Sequence, residues 1–83
     1  MFNNGYTGNR YYSLWRSYRI NRDTAIQIAL QQVPGQVINV ELYYDYGTLI
    51  YEINIRTTSG VYEVYIDAFT GQIYEIERAF NFD

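Results

Sequence analysis

The tetrad Ile50-Tyr51-Glu52-Ile53 returns as Val61-Tyr62-Glu63-Val64 and again as Ile73-Tyr74-Glu75-Ile76. Side chains on a strand alternate between two faces, so each Tyr shares a face with the aliphatic residue two positions on, and each Glu takes the other face. Four runs of period two predict strands from Val37 to Tyr44, Leu49 to Thr57, Val61 to Asp67 and Gln72 to Arg78. The gaps between them, Asp45-Tyr46-Gly47, Thr58-Ser59-Gly60 and Phe69-Thr70-Gly71, are short and each ends in Gly. Such gaps are too short for a crossover, so neighbouring strands must pair antiparallel in a meander.

Alternation then assigns the faces. The inner face should hold Ile38, Val40 and Leu42, then Tyr51, Ile53 and Ile55, then Tyr62, Val64 and Ile66, and finally Tyr74 and Ile76. The outer face collects Glu41, Tyr43, Ile50, Glu52, Asn54 and Arg56, followed by Val61, Glu63, Tyr65, Asp67, Ile73 and Glu75. A two-residue Ser59-Gly60 turn keeps Tyr62 on the face of Ile55 and sets Arg56 opposite Glu63. In the last strand two registers stay open. A three-residue Phe69-Thr70-Gly71 loop puts Tyr74 inside, whereas a bulge or a longer loop exchanges Tyr74 for Ile73.

Before the strands, Asn21 followed by Arg22-Asp23-Thr24-Ala25 reads as a helix start, because Asn satisfies free amides and an acid in the first turn suits the helix dipole. Ala25, Ile26, Ala29, Leu30 and Val33 form one apolar stripe, and Pro34-Gly35 ends the helix after about 11 residues. The fold class is therefore α+β, one helix packed on a four-stranded antiparallel meander sheet. Residues 21–78 form the domain, 1–20 a preceding arm and 79–83 a tail.

Eighty-three residues limit the chain to a single domain with a modest core. The absence of Cys and His removes the usual zinc sites, thiol nucleophiles and imidazole bases, so neither a metal nor a cofactor is expected. Sixteen aromatic residues, eleven of them Tyr, supply the burial that offsets ordering entropy. Charge is divided along the chain. Residues 1–22 carry Arg10, Arg16, Arg19 and Arg22 with no acid, while the remainder holds all nine acids against Arg56 and Arg78. Within the arm Tyr11, Leu14, Trp15 and Tyr18 fall at helical spacing, a stripe that needs a surface to lie against. Four Arg give a small phosphate footprint, so neither nucleic acid nor membrane is the expected partner. No apolar run suggests a leader or a membrane span, which points to the cytoplasm.

Glu52, Glu63 and Glu75 can neighbour one another across strands, but carboxylate catalysis needs an enclosed site and one raised pKa. A single sheet with one helix encloses little, Gly5-x-x-Gly8 lacks the strand and Lys of a phosphate loop, and serine without His or Lys makes no triad. The chain is not expected to be an enzyme. Exposed aromatic side chains mark protein contacts instead, and the candidate protein-binding residues are Tyr43, Ile50, Glu52, Glu63 and Tyr65 on the open face, with Trp15 and Tyr18 on the arm.

Ala25-x-x-x-Ala29, Val33-Pro34-Gly35, Tyr51-Glu52-Ile53 and above all Tyr62-Glu63-Val64-Tyr65-Ile66-Asp67-Ala68-x-Thr70-Gly71-x-Ile73 resemble a PepSY domain across 21–78. Asp67 can bond turn amides and Gly71 can supply a left-handed residue, so the motif specifies a turn and not a reaction. The resemblance implies a helix on an antiparallel sheet, found in propeptides of thermolysin-like metallopeptidases and in envelope, spore or secreted proteins, where members restrain or localise peptidases and other hydrolases. The sequence-level expectation is thus a small non-enzymatic binding or regulatory module whose partner is a protein such as a peptidase. The alternative is a self-associating structural protein, a homodimer for example, whose basic arm docks on the acidic sheet face of a second copy.

Overall fold

The computed structural model describes residues 19–79. One helix, α1 (Arg22–Gln32), is followed by β1 (Gln36–Asp45), β2 (Thr48–Thr57), β3 (Gly60–Asp67) and β4 (Ile73–Arg78). The strands pair antiparallel in chain order, the expected meander.

Asn21 caps the helix, its side-chain oxygen accepting from the Thr24 amide at 2.8 Å. At the other end the Val33 amide donates to the Ala29 carbonyl, 2.9 Å, before Pro34 stops the turn. Ala25 and Ala29 are fully buried because they lie over β2 and β3, and their small side chains let the helix axis approach the sheet closely. Beneath them Ile53, Ile55, Val64 and Ile66 are completely enclosed. Tyr51 is buried as well, with its hydroxyl donating to the Ile20 carbonyl at 2.9 Å, so the ring packs in the core while its polar tip is satisfied.

Both edge strands depart from strict alternation. In β1 the register slips between Val37 and Asn39, which turns Val37 inward opposite Ile55 and leaves Ile38 42% exposed, in place of the inward Ile38 expected from the sequence. In β4 it slips at Ile66, so that Ile73 faces Ile66 and packs on the core while Tyr74 is 51% exposed. Ile73 therefore belongs to the inner face and Tyr74 does not. The connection is five residues, Ala68 to Gln72, closed by a bond from the Asp67 amide to the Gln72 carbonyl and by Gly71 at a left-handed φ of 79°. Leu42 and Ile76 keep their inward register, opposite Tyr51 and Val64, but lie beyond the helix and are partly exposed. The β2–β3 turn also differs from expectation. Gly60 still pairs with Thr57, so the turn is Thr58-Ser59 and Arg56 faces Val61, not Glu63.

Two outcomes test this packing. Val37→Ser should cost about 1–2 kcal/mol while Ile38→Ser stays within roughly 0.5 kcal/mol, read from urea midpoints; equal losses would refute the bulge. A Cβ at Gly35 would strike the Arg56 backbone carbonyl and approach Ile55 Cγ2 to 2.8 Å. Gly35→Ala is therefore expected to lose about 1–3 kcal/mol in the same assay.

Candidate functional site

Because β2 and β3 commit their aliphatic side chains to the helix side, their intervening residues form the opposite, outer face. Seven of the nine acids of the chain lie there: Glu41 and Asp45 on β1, Glu52 on β2, Glu63 and Asp67 on β3, and Glu75 and Glu77 on β4. Two like-charged pairs sit directly across from each other, Glu41 with Glu52 and Glu63 with Glu77. Among the described residues the ion pair is Arg22 with Asp23 at 4.0 Å, so none of the seven has a cation at salt-bridge distance within that set.

Tyrosines stand among these carboxylates, and each donates its hydroxyl to one of them. Tyr65 bonds Glu63 at 2.9 Å, Tyr74 bonds Asp67 at 2.6 Å, and Tyr43 makes a longer contact with Glu52 at 3.4 Å. The three rings border a shallow concavity of about 520 Å³ together with Asp45, Glu75 and Glu77. At its floor is Ile50, only 7% exposed although it faces away from the helix and stands apart from the main core. Tyr46 projects fully exposed from the adjoining β1–β2 turn with a φ of 53°, a conformation that Asn or Gly would adopt at lower cost.

The electrostatics follow from this crowding. Burial, then the charges of Glu63 and Glu41, hold the Glu52 carboxyl above its ordinary value. Burial and the hydrogen bond to Glu63 push the Tyr65 phenol up, and burial with the Glu52 charge does the same to Tyr43. Glu77 is raised by its hydrogen bond with Glu75 and by that neighbour's charge. Asp67 is lowered, chiefly by the Tyr74 hydroxyl, and its other oxygen accepts from the Phe69 and Thr70 amides at 2.7 and 3.0 Å. Asp67 is thus a turn-forming residue whose spare oxygen orients Tyr74.

The structure brings together five of the residues singled out from sequence, Tyr43, Ile50, Glu52, Glu63 and Tyr65; Trp15 and Tyr18 lie outside the described residues. Sequence reasoning missed Tyr46, Asp45 and Glu77 as parts of this face and left the facing of Tyr74 open between two registers. For Tyr74 a signal existed: Ile73 and Ile76 are three apart, a spacing that strict alternation cannot place on one face without a bulge. No group of His, Cys, Asp or Glu among the described residues is arranged to hold a metal ion. The arrangement offers hydrogen-bond acceptors around an aromatic-walled apolar floor, which suits a donor-rich, cationic protein segment.

The raised Glu52 gives a pH prediction. A carboxyl whose folded pKa lies above its unfolded value makes the fold bind protons more tightly, so its effect is to lower stability as pH rises from about 4.5 through the folded value. Glu52→Gln should accordingly raise Tm at pH 7 by about 2–4 °C, the shift that relieving roughly 0.5 kcal/mol of carboxylate desolvation and like-charge repulsion gives a small domain. The gain should shrink toward pH 4. Thermal melts across that range check it, and a gain independent of pH would contradict the assigned cause.

Comparison with known proteins accords with this geometry. Residues 19–77 match the PepSY family model, described as peptidase propeptide and YPEB domain. A crystal structure of a candidate lipoprotein from Clostridium difficile 630 superposes with a TM-score of 0.72 at 24% identity, covering 76% of this chain. The chain spans 41% of that structure's length. No curated protein matches the sequence. Among the described residues no helix is long and apolar enough to cross a membrane, and none of these comparisons supports the cytoplasmic placement expected from the sequence. The family match takes in the helix and all but the last residue of the sheet, and the chain therefore belongs to the PepSY family.

Proposed function

We propose that this protein is a non-catalytic binding module that holds a peptidase or other hydrolase through its outer sheet face. The observation that carries the reading is the concavity itself: Tyr43, Tyr65 and Tyr74 around a buried Ile50, within a field of seven carboxylates. Aromatic anchors over a desolvated apolar floor are what protein contacts concentrate their affinity in, and carboxylates with no cation at salt-bridge distance among the described residues steer a cationic partner. The family description, which names peptidase propeptides, supports a peptidase as the class of partner. The fully exposed Tyr46 at the rim adds contact area on the side of β1. Lipoproteins are held at membranes by acyl chains, and the solved neighbour bears that description, so an envelope setting forms part of the proposal.

A dose series of the full chain against thermolysin-type metallopeptidases tests it. The wild type should slow at least one of them, and a Glu52→Lys, Tyr65→Ala variant should need about tenfold or more protein for the same effect, the loss expected from removing a central aromatic anchor. No slowing by the wild type would end the peptidase reading. Equal potency of the two proteins would move the contact off this face.

A further inference from the structure

We propose that the edge of β1 facing away from β2 takes up an extended segment of a partner protein as a further antiparallel strand, one whose side chains alternate between apolar on the helix side and basic on the outer side. This edge is a surface separate from the concavity, and the proposal does not rest on the outer face holding a hydrolase.

The backbone of β1 is arranged to accept such a strand. Asp45 and Thr48 pair across the Tyr46-Gly47 turn, and in an antiparallel ladder bonded pairs alternate with non-bonded ones from that point. Asp45, Tyr43 and Glu41 therefore turn their amides and carbonyls to β2, while Tyr44, Leu42 and Val40 turn theirs away from it. Among the described residues no strand lies on that side. The bulge beside Ile38 ends the regular stretch at Asn39, and β1 contains neither Pro nor Lys, the residues that most often guard an open edge.

The side chains of Val40, Leu42 and Tyr44 point to the helix side, opposite Ile53, Tyr51 and Leu49. Because α1 lies over β2 and β3, Leu42 stays 38% and Tyr44 70% exposed. Ile28 leans to the β4 side of the helix, its Cδ1 standing 3.1 Å from where a Cβ at Gly71 would be. Ile26 and Leu30 are turned about 100° from Ala25 and Ala29 in the other sense, so they flank the β1 side. A strand laid along β1 would bring every second side chain onto a shelf of Ile26, Leu30, Leu42 and Tyr44. Its intervening side chains would stand beside Glu41, Tyr43 and Asp45.

Charge selects the occupant. Arg56, a cation on the same outer face, stands opposite Gln36 and beyond the bulge, so the stretch from Asn39 to Asp45 carries acids alone. A second copy pairing through its β1 would add Glu41 and Asp45 to this surface, and one pairing through its β4 would add Glu75 and Glu77. Like charges across a strand pair weaken it, which favours a segment with Arg or Lys at alternate positions over another copy of this chain.

Hydrogen exchange of the full-length protein with a blocked heptapeptide alternating Arg with Val, Arg at both ends, tests the proposal. In the protein alone the amides of Val40, Leu42 and Tyr44 should exchange fast while those of Glu41 and Tyr43 are protected, and saturating peptide should slow the first set about tenfold or more. The same peptide N-methylated at its Val residues keeps its charge and side chains but loses the donors that meet β1, and should give no protection. A Glu-Val peptide should give none either, and Glu41→Lys, a change outside the concavity, should weaken the Arg-Val peptide about threefold or more. Equal protection by the plain and methylated peptides, or none by the plain one, would overturn the proposal. Slow exchange at Val40, Leu42 and Tyr44 before any peptide is added would do the same, showing an edge covered by the chain itself or, where protection grows with concentration, by a second copy. Slowing of a peptidase through the concavity is read separately with the Glu52 and Tyr65 variant, so either reading can fail alone.

Discussion

Enclosure of Ile53, Ile55, Val64 and Ile66 beneath Ala25 and Ala29 is the constraint on which the rest of this structure depends. With a repeat of two, choosing which residues of β2 and β3 meet the helix also chooses which cannot. Glu52, Asn54, Glu63 and Tyr65 are displaced to the far side by the burial of their neighbours. The small alanines make the choice firm, since a close helix leaves no room for a carboxylate beneath it, and an uncompensated buried charge is far costlier than an exposed one. The acidic outer face is thus the obligatory reverse of the core, even though the identity of its residues is not.

What could be read from sequence divides along the same line. The central strands are flanked on both sides and obey alternation without interruption, so their faces, their antiparallel order and four residues of the candidate site, Ile50, Glu52, Glu63 and Tyr65, were legible; Tyr43 was legible too, because β1 alternates regularly beyond Asn39. The helix was legible because Asn21 and Pro34 punctuate it through local chemistry that needs no tertiary contact. In the edge strands the bulge of β1 was missed and the register of β4 stayed open, because an edge has a neighbour on one side only and tolerates an inserted residue. Val37 with Val40 and Ile73 with Ile76 show the trace of those insertions, apolar residues three apart where two would be regular. Ile38 and Tyr74, the residues displaced by each bulge, are the ones whose facing strict alternation inverts. The Thr58-Ser59 turn was displaced by one position for another reason, that Gly60 remains inside the ladder despite the flexibility that marks it as a turn residue.

The bulge in β4 also matters for the site. By turning Ile73 into the core it releases Tyr74 toward Asp67, whose other oxygen already organises the turn. One irregularity therefore both closes the end of the core and completes the aromatic wall. Fixing three phenol groups on carboxylates leaves rigid rings and oriented acceptors before any partner arrives, which reduces the ordering cost of contact.

A solvated surface free of functional demand mixes charges of both signs, because opposite neighbours stabilise a sheet and like neighbours weaken it. This face does the reverse, setting Glu41 against Glu52 and Glu63 against Glu77 while Arg56 and Arg78 stand toward the far end of the sheet, away from the concavity. A single Lys at position 41 or 77 would relieve each conflict at no cost to the core, since neither side chain is buried. Local choices that oppose stability, and that packing does not require, are expected where a surface serves binding. The same accumulation of negative charge argues for a cationic occupant over a neutral one, since only the former recovers the repulsion built into the free protein.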